Sequence, residues 1–378
     1  MASMELHPLL PRQTSEEVSR HGFLIALKNH LSGEMVEANR RLYEKKVKPA
    51  FAKDAGREPE TRHEVASLMR GEPFYQMWSA LGRVQQELYV DSTAACVERQ
   101  LPELVETYRS LRDDAKHGTM TLNAGTQIPR YISAVDIHCV PGGYFHEMGE
   151  DDVYVGARYD IGSFIFGRGQ RGPLNDVRGQ TGVAALRKLF PDLNPRDILD
   201  LGCGPGMNTL PYVDAFPDAK VHGVDVSAPV IRYAHGRAES LGKAVHFSQQ
   251  NAECTDFPDA SFDLVVSSIL FHETSRRAIH NIVKECARLL RPGGVMLHLD
   301  VGRRLTAHDP FDQFIADWDT MNNNEPFWGT LLFDMDMERP AIDAGFEPNR
   351  IFNELVPTPS GKTFYWAYGA RKSGSAAA

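Results

Sequence analysis

Cysteine is scarce in this chain of 378 residues, and basic charge is in deficit. The five cysteines, Cys96, Cys139, Cys203, Cys254 and Cys286, are odd in number, widely spaced and without a CxxC pair. That pattern argues against a disulfide framework and against a zinc site, so no metal is expected. Lys and Arg number 41 against 50 Asp and Glu, a formal charge of −9. A dedicated nucleic-acid binder carries a basic stripe instead, so no nucleic-acid partner is expected. There is no run of about 18 apolar residues, which argues against a transmembrane helix and a membrane partner. The first residues, MASMELHPLLPRQTSEE, hold no apolar stretch suited to a signal peptide, and the cytoplasm is the expected location. Internal repeats and low-complexity runs are also missing.

What remains is an ordinary globular composition, 42% hydrophobic and 24% charged, long enough for two domains or for one with a large extension. Four segments follow from the pattern. Residues 1–117 read as helical. Phe23, Leu24, Ala26, Leu27, His30 and Leu31 keep helical spacing, as do Met77, Leu81, Val84, Leu88 and Tyr89. A helical extension of this kind suits a homodimer. Residues 118–180 are rich in glycine and aromatics, with PGGYFHE at 141–147 and YVGARYDIGSFIFGRGQRG at 154–172. Their alternation is short and broken, so short strands and loops are expected, forming either a lid over a site or a plain surface connector. Residues 181–372 alternate strands and helices, which implies a parallel sheet covered on both faces. The small, polar end, 373–378, reads as a disordered tail.

The chemistry concentrates after the strand ILDLG (198–202). Asp200-Leu-Gly202-Cys203-Gly204-Pro-Gly206-Met-Asn208 leaves a strand and opens a helix. Glycines there let backbone approach a ligand, and the N–H groups of a helix start favour polar or anionic groups. A tight turn without a ligand would need the same glycines. Asp225, followed by Val226, ends the next strand, where an acid can accept hydrogen bonds from two ribose hydroxyls. A helix cap is the competing role for Asp225, but Ser227 suits it better.

These segments together resemble the class I S-adenosylmethionine-dependent methyltransferases. DILDLGCGPG is similar to that family's first motif and GVDVS to its second. NAECTDFPDASFDLVVSS resembles the adenine-binding turn and fourth strand, and LLRPGGVMLHLD the helix, turn and fifth strand. The likeness runs over 196–300 and, in outline, to 370, with loops closest to small-molecule enzymes of the ubiquinone-biosynthesis type. It implies a seven-stranded Rossmann-like sheet and S-adenosyl-L-methionine as cofactor. Asp200 and the Gly202–Gly206 backbone would face the methionine end, and Asp225 the ribose. Asn251, Ala252 and Glu253 would lie along the adenine, with Ser267 and Ser268 beside the reaction centre. Two departures stand out: Asn251 occupies a position where the family often has Asp, and the N-terminal region has no counterpart in the minimal fold.

The family resemblance leaves the acceptor open. A nicotinamide dehydrogenase would show GxGxxG rather than GxGxG. A base-flipping enzyme would show aromatic stacking and a basic track near the fourth strand, where this chain has SSILFHE. A protein that binds the cofactor without transferring methyl would carry the same motifs. A small-molecule acceptor is the expected partner. Tyr144, His146, Tyr159 and Phe166 are candidates for touching cofactor or acceptor, and His272, after the fourth strand, is the candidate general base. A cap on the helix near Ser275 is the competing role for His272. His138, His146 and Glu147 do not have a metal-site spacing. His298 is expected to pack or line the pocket, and His235 and His280 to lie on helix surfaces.

Overall fold

The computed structural model describes residues 7–167 and 169–374; of the tail expected at 373–378, residues 375–378 lie outside them. Eight strands form one sheet: β1 (Thr119–Thr121), β2 (Asp197–Leu201), β3 (Lys220–Asp225), β4 (Val245–Gln249), β5 (Phe262–Ser268), β6 (Leu290–Val301), β7 (Ile351–Pro357) and β8 (Phe364–Arg371). Their order is β1-β4-β3-β2-β5-β6-β8-β7. All pairs are parallel except those of β8 with β6 and β7. The sheet therefore has eight strands, not seven. The extra strand comes from the connector: Thr119, Met120 and Thr121 pair with His246, Phe247 and Ser248 of β4.

The chain leaves β2 toward β3 and β4 on one side and later returns to β5 on the other. A crevice opens at the carboxyl ends of the strands where the order reverses. Leu199, Leu201, Val265 and Met296 bury one face against the helix Arg276–Leu289, through Ile279, Ile282, Val283 and Cys286. Ile198, Leu264, Val266 and Leu297 bury the other face with Leu186, Ile231 and Ala234. Two-sided burial explains why these strands read as apolar runs rather than alternating ones.

The region before the sheet is helical, as its spacing predicts. Thr14 and Glu17 close a capping box at the start of Ser15–Ser32, and Pro73 opens the long helix Pro73–Glu98. The apolar stripe Met77, Leu81, Val84 and Leu88 is nevertheless exposed. That helix buries Tyr75, Trp78, Val90, Cys96 and Val97 instead. These helices share cores with the rest of the chain. Leu31, Met35, Tyr75 and Trp78 pack with Phe311, Phe314 and Ile315, and Leu9, Val97 and Tyr108 pack with Tyr233. No helix among the described residues is long and apolar enough to cross a membrane.

Within 118–180 the expectation of strands and loops fails at Tyr154–Phe166, which is an almost fully buried helix. Its glycines serve close packing. A Cβ on Gly156 would lie 2.3 Å from the Tyr233 Cβ, and one on Gly162 would lie 2.4 Å from the Tyr89 hydroxyl. Gly156→Ala should therefore cost about 1–3 kcal/mol through overpacking. Thermal unfolding of the variant checks this, and an unchanged midpoint would show that the two helices can separate freely.

Candidate functional site

The turn after β2 is built on left-handed backbone, with φ of 63° at Gly202, 52° at Gly204 and 78° at Gly206. Cys203 N–H donates to the Val224 carbonyl (2.9 Å), which ties the turn to β3. At the end of β3, Asp225 accepts from Gly204 N–H (3.1 Å) and Ser227 N–H (3.0 Å). Ser227 caps the following helix through Val230 N–H, as its residue type suggests, which leaves Asp225 for another task. Burial pushes the Asp225 carboxyl up to about 6, against the opposing backbone hydrogen bonds.

A cavity opens above this turn. Gly202, Cys203, Gly204, Asn208, Asp225, Val226, Asn251, Ala252 and Ser268 all contribute to its wall. Three observations fit a polar ligand with a ribose. A Cβ on Gly204 would meet nothing within 4 Å, so the space before it is open. The Asn208 side-chain oxygen and the Ser268 hydroxyl are buried with no hydrogen-bond partner among the described residues. The Asp225 carboxylate stands on the same wall.

Other expected residues lie off that wall. Asp200 sits under the turn, accepting from the Thr209 hydroxyl (2.6 Å); burial raises its carboxyl to about 7. Gly206 shapes the turn without lining the space. Glu253 turns away, accepting from the Tyr131 hydroxyl (2.9 Å) and the Asn281 amide (2.7 Å). Asn251 does stand on the wall, but its side-chain oxygen accepts from Glu253 N–H (2.9 Å). Ser267 faces the core and pairs with His298 Nδ1 (2.8 Å). His298 is buried against Phe271 and Tyr368, and that burial lowers it to about 3. His235 is buried beside Glu239, not on the surface, because its helix packs on both sides.

A second cavity adjoins the first. Tyr144, Tyr159, Phe166 and His272 all line it, whereas His146 is exposed and outside it. Tyr144, Tyr159, Ile269 and Glu273 line both cavities. Ile269, a β-branched residue at φ 58°, holds an unfavourable conformation at this junction, with its N–H on the Leu299 carbonyl (2.8 Å). The connector contributes Tyr131, Ile132, Tyr144 and Phe145 to the first cavity and is tied to its wall where the Ser227 hydroxyl donates to the Tyr144 carbonyl (2.6 Å).

His272 does not cap the next helix; Ser275 does, through Ala278 N–H (3.1 Å). Instead His272 Nδ1 is 2.6 Å from Asp300 Oδ1, at the carboxyl end of β6. Asp300 is itself fixed by N–H groups of Phe271 (3.1 Å), His272 (3.3 Å) and Val301 (2.7 Å). His272 Nε2 is 3.7 Å from Glu273 Oε1. Burial alone would lower the imidazole, but Asp300, Glu273 and Glu325 outweigh it and raise it to about 9. Glu273 also lies 3.3 Å from His138 Nε2 and accepts from the Tyr144 hydroxyl (3.3 Å). His138 Nδ1 pairs with the buried Glu325 (2.8 Å). Sequence reasoning missed Asp300, Glu325 and three cavity arginines, Arg158, Arg171 and Arg178. A signal for the first was present: an acid ends the strand beside the one that His272 follows.

Comparison with known proteins agrees with this geometry. Residues 198–294 match the family described as "Methyltransferase domain". The chain is 33% identical over 119 residues to the malonyl-[acyl-carrier protein] O-methyltransferase of Methylococcus capsulatus, covering 31% of this chain and 40% of that protein. It is 34% identical over 106 residues to the demethylmenaquinone methyltransferase of Thermus thermophilus, covering 28% and 47%. The chain thus spans less than half the length of these curated relatives. An O-methyltransferase family protein from Burkholderia thailandensis superposes with a TM-score of 0.41 at 19% identity, over 60% of this chain and 61% of that one. The first-cavity turn, the acid ending β3 and the matched sequence coincide, and residues 198–294 form a methyltransferase domain similar to those of S-adenosylmethionine-dependent methyltransferases.

Proposed function

We propose that this protein methylates a small molecule, with S-adenosyl-L-methionine in the first cavity and the acceptor in the second. The observation that carries this reading is the shared wall of Tyr144, Tyr159, Ile269 and Glu273, which joins the two spaces. When bound, the cofactor supplies an electrophilic methyl group, so alignment with the acceptor provides most of the rate. Asp225 accepts from the ribose hydroxyls, the Gly202–Gly206 backbone holds the methionine end, and Asn251 and Ala252 flank the adenine. Residues 118–180, with Tyr144 at their centre, cover the site and exclude water. His272, oriented by Asp300, takes the acceptor proton at Nε2.

The test is direct. The full-length protein is incubated with methyl-labelled cofactor and a small-molecule extract. Release of S-adenosylhomocysteine, with label appearing in an extracted compound, is expected. Tight cofactor binding with no release in any extract would leave a cofactor-binding protein without transfer.

A further inference from the structure

Three arginines line the second cavity without pairing with any described carboxylate. Arg158, from helix Tyr154–Phe166, Arg171, from the turn after it, and Arg178, from helix Val177–Leu189, all line it. Arg158 is 5% exposed and Arg178 2%. Among the described residues, the Arg158 Nε and the Arg178 Nε and Nη2 have no hydrogen-bond partner. None of the three arginines forms an ion pair with a described carboxylate, although 23 other described residues of the chain's Lys, Arg and His set do. Of the acids in the same cavity, Glu273 and Glu325 pair with His138, Glu273 also accepts from the Tyr144 hydroxyl, Asp319 accepts from the Asn323 amide (3.4 Å), and the Glu325 Oε2 has no partner among the described residues.

An uncompensated buried guanidinium is costly, and an Arg in the first turn of a helix opposes the helix dipole as well. Arg178 bears both penalties, and burial is opposed by Tyr159, Tyr365 and Asp300, which hold its guanidinium above the ordinary value. Burial and the adjacent Arg178 charge also press Arg171 downward. A guanidinium offers a planar fork of donors that matches an oxyanion. Resting on the proposed methyl transfer, we infer that the acceptor is an oxyanion-bearing small molecule, a carboxylate or a phosphate monoester, whose anionic group is held by Arg158, Arg171 and Arg178.

Binding of simple anions to the full-length protein tests this independently of turnover. Sodium phosphate and sodium benzoate are titrated at constant ionic strength, with and without S-adenosylhomocysteine, and the thermal midpoint is followed. One of the two probes is expected to raise the wild-type midpoint where chloride does not. A stronger response to phosphate assigns a phosphate monoester, and a stronger response to benzoate a carboxylate. Arg178→Gln and Arg158→Gln should each weaken the response at least about tenfold, the scale of a lost charge-assisted pair. Their affinity for S-adenosylhomocysteine should stay within about threefold. No wild-type response to either anion overturns the proposal, and so does an undiminished response in the folded variants. Wild-type protein that binds the anions but not S-adenosylhomocysteine would refute the cofactor cavity and leave the anion site standing.

Discussion

Exchange of His272 for glutamine is expected to lower turnover ~10²–10⁴-fold, the range of a lost general base, while cofactor affinity stays within about threefold. The imidazole is pinned at Nδ1 by Asp300 at 2.6 Å, and its Nε2 is the nitrogen left toward the cavity. Raised to about 9, it carries its proton at neutral pH in the empty site. A base acts only once that proton is gone, so kcat should climb with pH. A cationic cofactor lowers the imidazole and an anionic acceptor raises it, so the climb should lie around 9. Asp300→Asn removes the main raising charge and should move the climb to lower pH while reducing the maximal rate. A loss under threefold in His272→Gln, with an unmoved profile in Asp300→Asn, would assign the pair to scaffolding and leave alignment as the source of the rate.

Asp225→Ala should weaken cofactor binding by about 1.5–3 kcal/mol, or roughly 10–150-fold, through loss of charge-assisted hydrogen bonds. The pH dependence carries a second signature. Burial raises this carboxyl to about 6 in the empty protein, and the ionised form is the better acceptor for two hydroxyls. Binding therefore favours the deprotonated form. Affinity should be constant well above pH 6 and fall as pH drops through that value. The alanine variant should lose this fall as well as the affinity. Calorimetry across pH 5–8 reads both, and unchanged affinity would remove Asp225 from the ribose site.

The legible parts of the chain were those where one residue type had one use. Ile198 to Gly202 and Phe262 to Ser268 are apolar runs that end in turns, and buried parallel strands need that pattern. The left-handed backbone at Gly202, Gly204 and Gly206 matches what their spacing implied. Residues with two uses misled. Gly156 and Gly162 suggested loops, yet they let a helix approach Tyr233 and Tyr89. A strand of three residues, β1, leaves no periodicity to detect. Arg158, Arg171 and Arg178 are spread over 21 positions of sequence, and only the fold gathers them around one space. Asp200 and Ser267 were placed on the correct elements, but a side chain ending a strand can point to either face, and both point inward.

The common wall of the two cavities ties their contents together thermodynamically. Any change that one ligand makes in the other's affinity must be returned by the same factor. Glu273 stands in that wall with His138 and Tyr144 on it, so charge in one space is felt in the other. On the proposed reading, a cation in the first cavity and an anion in the second attract each other, and each strengthens the other's hold. Methyl transfer converts the sulfonium to a neutral thioether. The attraction then ends with the chemistry, and the site becomes a one-way valve that grips the reactants as a pair and releases the products singly.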